Sequence, residues 1–243
     1  MIDALILTIL MTSVPLVLAA TGELVVERSG VLNLGLEGMM LMGAVSAFAF
    51  TYATGSLFIG LLAGIISGAV TAAIFGFFVL GLATNQVATG LALTIFGTGL
   101  SGLIGADFVG NAITGLPTLF PKHFSDTPFI GAFLSLDIVA YSSVIIVFLV
   151  WVFLFKTKSG LILRASGISH DSSHSLGYSV LKVRWCAVLF GGMMAGLSGA
   201  YLPLMLTPQW SEGMSSGRGW IALALVVFAS WIPSRIVYVA ILF

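Results

Sequence analysis

The sequence predicts an all-α protein, a polytopic bundle of transmembrane helices with about seven complete spans and a partial eighth. Three observations carry that prediction. The 243 residues are 59% hydrophobic, with a mean hydropathy of +1.15. Only 7% are charged, where ordinary globular chains carry about 25%. Apolar runs of the length needed to cross a hydrocarbon core, about 20 residues, recur from one end to the other. The 29 glycines lie largely inside those runs, as in closely packed membrane helices. No polar block is long enough for a soluble domain, so residues 1–243 read as one transmembrane domain. With zero net charge nothing suggests nucleic acid, and the single Cys186 cannot close an internal disulfide.

Spans are placed near 2–21, 38–54, 57–81, 84–105, 136–155, 183–205 and 218–233. The first has no Lys or Arg before it, so it reads as a retained helix and not a cleaved signal peptide. Lys156, Lys158, Arg164, Lys182 and Arg184 cluster between the fifth and sixth spans, and short basic loops stay cytoplasmic. Alternation then puts residues 22–37, the 81–84 turn and Ser234-Arg235 inside, and 106–135 and 206–217 outside. After Arg235 only IVYVAILF remains, about 12 Å of helix, which reads as a partial span of a C-terminally truncated chain.

The segment AATGELVVERSGVLNLGLEGM, residues 20–40, concentrates Glu23, Glu27, Arg28, Asn33 and Glu37 in a chain with few charges. Polar groups within a membrane are costly and tend to be functional. Asn33 and Glu37, one helical turn apart, are candidates for a polar solute's path. For Glu37 a structural acid, capping a helix or pairing with Arg28, stands beside that reading. Glu23 and Glu27 read as interfacial charges. Asn85-Gln86 opens the fourth span, where Asn85 suits a helix cap. Gln86 and Thr89 can both donate and accept hydrogen bonds toward a solute.

Gly60, Gly64, Gly68, Ala72 and Gly76 recur every fourth residue in the third span, and Gly192, Gly196 and Ala200 in the sixth. Small residues at this spacing let helix backbones approach closely, so both stripes read as packing faces. Residues 106–135, with three prolines and five aromatics, read as a partly structured extracytoplasmic loop in which Lys122 and His123 are surface residues. His170-Asp171-Ser172-Ser173-His174 has two histidines four apart but lacks the apolar helical context and third ligand of a zinc protease site. No P-loop, nucleophile elbow or Cys/His metal spacing occurs. The chain therefore reads as a non-enzyme with no metal or cofactor. An ion-coupled secondary carrier predicts an inverted repeat, and none is legible.

ERSGVLNLGLEGMMLMGA (27–44), ATNQVATGLAL (83–93), GLILRASG (160–167), MMAGLSGAYL (193–202) and GRGWIALALVVF (217–228) follow one another in that order. Together they resemble the permease subunit of bacterial ABC importers of the branched-chain amino acid and simple-sugar type, with the nucleoside (purine) uptake branch the nearest. The resemblance implies a multi-pass protein of the bacterial inner membrane. It implies two cytoplasmic ATPase subunits, a second and different, longer permease, and an extracytoplasmic solute-binding lipoprotein as partners. It assigns residues 157–182 to cytoplasmic coupling, with Gly160, Leu163, Arg164, Ala165 and Gly167 through Gly177 against the ATPase. The solute is then a nucleoside, with simple sugars or branched-chain amino acids as the alternative.

Overall fold

The computed structural model describes residues 2–117 and 130–243. Lys122, His123 and the middle of the 106–135 segment lie outside the described residues. Within them the secondary structure is helical, relieved by two isolated β-bridges, Val109 to Trp210 and Ala112 to Gln209.

The long helices are α1 (Ile2–Arg28), α2 (Leu36–Thr54), α3 (Leu57–Gly76), α4 (Gln86–Gly105), α6 (Ile138–Lys156) and α9 (Val180–Tyr201). Short helices α5 (Ile130–Leu134), α7 (Lys158–Ile168) and α8 (His170–Ser175) lie between the later ones. Wide π-helical turns extend α3 to Gly81 and α9 to Leu206. Among the described residues six helices are long and apolar enough to cross a membrane, the last of them Val180–Leu206.

The polytopic bundle is thus as predicted, but its seventh complete span is not. Residues 218–233 form an 11-residue helix, α10 (Arg218–Phe228), which rises about 16 Å and covers half a hydrocarbon core. The chain reverses at Ala229–Ile232 and continues as α11 (Pro233–Leu242), which packs against α1 and α6. The break has a local cause. Pro233 disfavours helical backbone at the residue before it, and Ile232 is extended, with φ −108° and ψ 114°. Hydropathy registers only that both halves are apolar.

α2 and α9 occupy the centre. The two glycine stripes meet each other there: a Cβ at Gly68 would strike the Gly192 carbonyl, and one at Gly196 the Gly64 carbonyl. Gly43 lies against Gly196, and Gly199 against the Met40 carbonyl, so α2, α3 and α9 come within backbone contact. This is the close approach that small residues permit where no hydrophobic effect draws helices together. Ser198 Oγ donates to the Pro15 carbonyl at 2.6 Å and ties α9 to α1. Asp137, fully buried, caps α6 by accepting from the Val139 and Ala140 N–H groups and takes the Tyr201 hydroxyl at 2.6 Å.

Candidate functional site

Residues 22–37 do not form a simple cytoplasmic loop. α1 continues to Arg28, so Glu23 and Glu27 are helical residues near its end. Glu23 is fully buried, which corrects its reading as an interfacial charge. The chain then turns at Gly30, whose φ of +87° suits glycine alone, and runs back along α4. The Leu32 N–H donates to Gln86 Oε1 at 2.8 Å, and Thr94 Oγ1 donates to the Leu34 carbonyl at 2.9 Å. Gly38 then meets the backbone of Gly97. Gly97 stands eleven residues along α4, about 16 Å from its start. α2 therefore begins in the interior of the bundle, and Glu37 with it.

What Glu37 meets there is the start of α10. Its Oε1 accepts from the Ser215 hydroxyl at 2.5 Å and the Gly217 N–H at 2.8 Å, and its Oε2 from the Gly219 N–H at 2.6 Å. A helix start leaves four N–H groups without intrahelical partners, and a carboxylate is the natural ligand for them. The partner of Glu37 is therefore a broken helix at half depth. Arg28 instead donates from Nε and Nη2 to the Trp231 carbonyl. To reach Glu37, residues 207–217 pass from the C-terminal end of α9 into the bundle, burying Trp210, Met214 and Ser215. They are not a wholly external loop.

Asn33 is fully buried. Its Oδ1 accepts from the Gly35 N–H at 2.9 Å, its Nδ2 donates to Met39 Sδ at 3.4 Å, and its own N–H donates to Glu23 Oε1 at 3.0 Å. Glu23 Oε2 has no hydrogen-bond partner among the described residues. Asn85 caps α4 by accepting from the Ala88 N–H. Gln86 and Thr89 are half-buried, and Thr89 shares a 2.9 Å hydrogen bond with Thr84. Thr89 also faces an open groove of about 510 Å³ between α3 and α4, lined by Phe75, Phe78, Leu93 and Phe96 among others. The four candidate path residues thus fall into two pairs. Asn33 and Glu37 are enclosed by their own chain, while Thr89 borders the groove and Gln86, half-buried, holds the Leu32 N–H.

The coupling candidates divide in the same way. The Thr157 hydroxyl caps α7 by accepting from the Gly160 N–H at 3.0 Å. Gly160 lies against the Phe153 carbonyl and Leu154, where a Cβ would not fit, which lets α7 fold sharply off α6. Leu163 is buried, and Gly167 packs on the Arg28 carbonyl and the Gly30 N–H. Arg164 lays its guanidinium over the Phe155 ring, 4.8 Å from the centroid. Ala165 is exposed, and Gly177 makes the turn after α8 with φ +83°. Leu161 was not singled out in the sequence, and with Ile168, Leu176, Tyr178 and Leu181 it belongs to the exposed apolar side chains of this segment. Ser215, Gly217 and Gly219 were also missed as partners of Glu37. Their signal was a run of small polar residues, SSGRG, ahead of an apolar run too short to cross alone.

Residues 5–243 match the family described as the branched-chain amino acid transport system permease component. This chain belongs to that family. TsgC13 of Haloferax volcanii, named for glucose ABC transport as a permease, is 43% identical over 94% of this chain and 71% of its own length. The guanosine ABC transporter permease NupQ of Bacillus subtilis is 32% identical over 92% of this chain and 74% of its own. The nucleoside ABC transporter permease NupC of Lactococcus lactis is 27% identical over 96% and 77%. The protein is accordingly a multi-pass permease of the sugar and nucleoside ABC import family and a transport subunit, not an enzyme. Membership also decides against the ion-coupled carrier, although a helix broken at half depth is a feature such carriers share.

Proposed function

We propose that this permease forms the membrane path of an ATP-driven importer for a nucleoside. Cytoplasmic ATPases act on α7–α8, a second and longer permease pairs with it in the membrane, and a solute-binding lipoprotein delivers solute from outside. The observation that carries the reading is the Glu37 clasp on the start of α10. Interrupted helices at membrane depth persist only where protein encloses them or where they line a cavity, and here the enclosing group is one carboxylate. Thr89 offers its hydroxyl to the solute beside the phenyl rings of the α3–α4 groove, and Gln86, at the start of the same helix, its amide NH2. Asn33 and Glu37 stand behind them and join the path when α10 swings away. ATP binding then favours one arrangement of α10, and a ligand shifts such an equilibrium only as far as it distinguishes the two states.

The nucleoside reading rests on the 27–44 stretch and on two relatives named for nucleoside or guanosine transport. A second reading, a hexose, is favoured by the 43% identity to TsgC13. Uptake of labelled guanosine and of labelled glucose, by the importer assembled in vesicles with its ATPase and binding protein, separates them. ATP-dependent guanosine uptake supports the first reading. Glucose uptake without guanosine uptake replaces it with the second. Uptake independent of ATP removes both.

A further inference from the structure

The reversal between α10 and α11 is held in a backbone conformation that its residues do not favour. Ser230 and Trp231 have φ values of 53° and 54°, in the left-handed region that non-glycine residues enter only when their surroundings hold them there. The holding groups come from the end of α1. Glu27 Oε2 accepts the Trp231 indole N–H, and the Arg28 guanidinium donates twice to the Trp231 carbonyl, at 3.3 and 3.0 Å.

The same turn of chain is gripped from the other side. Gly167 of α7 rests on the Arg28 carbonyl and the Gly30 N–H with no room for a Cβ. Arg184 Nε, at the start of α9, donates to the Ser29 carbonyl at 3.1 Å. Residues 28–30 are therefore wedged between α7 and the elbow. From the elbow, α10 runs straight to Gly219 and the Glu37 carboxylate.

We propose that Trp231 is a positioning residue for transport: its elbow relays displacement of α7 to the start of α10 and so sets whether the Glu37 clasp is closed. The relay rests on the reading that the ATPases act on α7. The Gly167 contact on Arg28 is backbone on backbone, the paired Glu27 and Arg28 side chains pass the shift to Trp231, and a short helix carries it onward. The strained turn gives the elbow a second conformation to relax into once Glu27 and Arg28 release it.

The test uses the assembled importer in vesicles, with Trp231→Phe, Glu27→Gln, Arg164→Ala and Ile168→Asp beside the parent. Readouts are ATPase binding, uptake per ATP hydrolysed, and the ATP-dependent distance change between spin labels at the exposed positions Phe228 on α10 and Val144 on α6. Trp231→Phe keeps a ring and loses the N–H donor. It should bind ATPase like the parent, lose the distance change and show uptake per ATP lower by about five-fold or more, the lower edge of ordinary coupling between sites. Glu27→Gln retains a carbonyl acceptor for the indole and should stay near the parent. Parent-like uptake per ATP and distance change in Trp231→Phe overturn the relay and leave the docking reading standing. Parent-like ATPase binding in both Arg164→Ala and Ile168→Asp removes the docking face on α7, and the relay with it.

Discussion

The Glu37 carboxylate accepts the Gly219 N–H at 2.6 Å across 182 residues of sequence. With the Ser215 hydroxyl and the Gly217 N–H on its other oxygen, it satisfies three donors at the start of a half-length helix inside the bundle. A glutamine at this position has one carbonyl oxygen and presents its NH2 to a donor. Hydrogen bonds to a charged group are worth about 1.5–3 kcal/mol, and stranding a buried N–H adds to the loss. Glu37→Gln should therefore lower stability by about 2 kcal/mol, read as a lower thermal midpoint in nanodiscs, together with slower uptake. Stability and uptake both equal to the parent would show that the clasp holds nothing.

Gly68 and Gly99 form a matched pair for the glycine stripes. A Cβ at Gly68 would strike the Gly192 carbonyl and the Gly196 backbone, whereas one at Gly99 meets nothing within 4 Å. Overpacking a close contact costs about 1–3 kcal/mol, and alanine in a helix interior gains up to about 1 kcal/mol over glycine. Gly68→Ala should destabilise the bundle, while Gly99→Ala should leave it unchanged or slightly stabler. Equal thermal midpoints for the two variants would remove the argument for a stripe-on-stripe contact.

Much of the bundle was legible because length and hydropathy suffice to place a membrane helix. The spans read at 57–81 and 84–105 fall within a few residues of Leu57–Gly81 and Gln86–Phe108. The errors fall where a polar or strained group depends on a distant partner. Glu23 looked like an interfacial charge, but α1 buries it fully, and the Asn33 N–H that donates to it lies ten residues on, past the turn at Gly30. The break in the seventh segment was marked locally by Trp231-Ile232-Pro233, yet a hydropathy window sums across it. Asn33 and Glu37 stood out in the sequence as polar groups in an apolar chain. Their partners, from Gly35 to Gly219, could not be read from spacing.

The Tyr201 hydroxyl donates to Asp137 at 2.6 Å where both residues are fully buried. The other oxygen of Asp137 is occupied by the two N–H groups it caps. Tyr201→Phe keeps the ring and leaves Asp137 Oδ2 without its donor, a loss of about 1–3 kcal/mol. Asp137 also fixes where α6 begins, so hydrogen exchange of the Val139 and Ala140 amides should quicken along with the drop in thermal midpoint. Unchanged exchange at both amides would mean that the cap stands without the tyrosine.

Ile168 is 86% exposed at the end of α7, the most exposed large apolar side chain of residues 157–182, and Leu161 and Leu176 are exposed as well. The residues of this segment that face inward, Gly160, Leu163 and Gly167, seat the helix on α6 and on the 28–30 turn. A partner protein can reach only the outward set. Exposed apolar anchors at the centre of an interface typically cost more than about 1 kcal/mol when lost. Ile168→Asp should therefore weaken ATPase binding to the assembled permease by about five-fold or more, with no change in the thermal midpoint of the permease alone. Leu163→Ala should do the opposite, lowering stability by about 2–5 kcal/mol through the cavity it leaves, read as a lower thermal midpoint. Should Ile168→Asp bind the ATPase as tightly as the parent, the contact lies on another face of the segment, and Leu176 beyond α8 becomes the next residue to change.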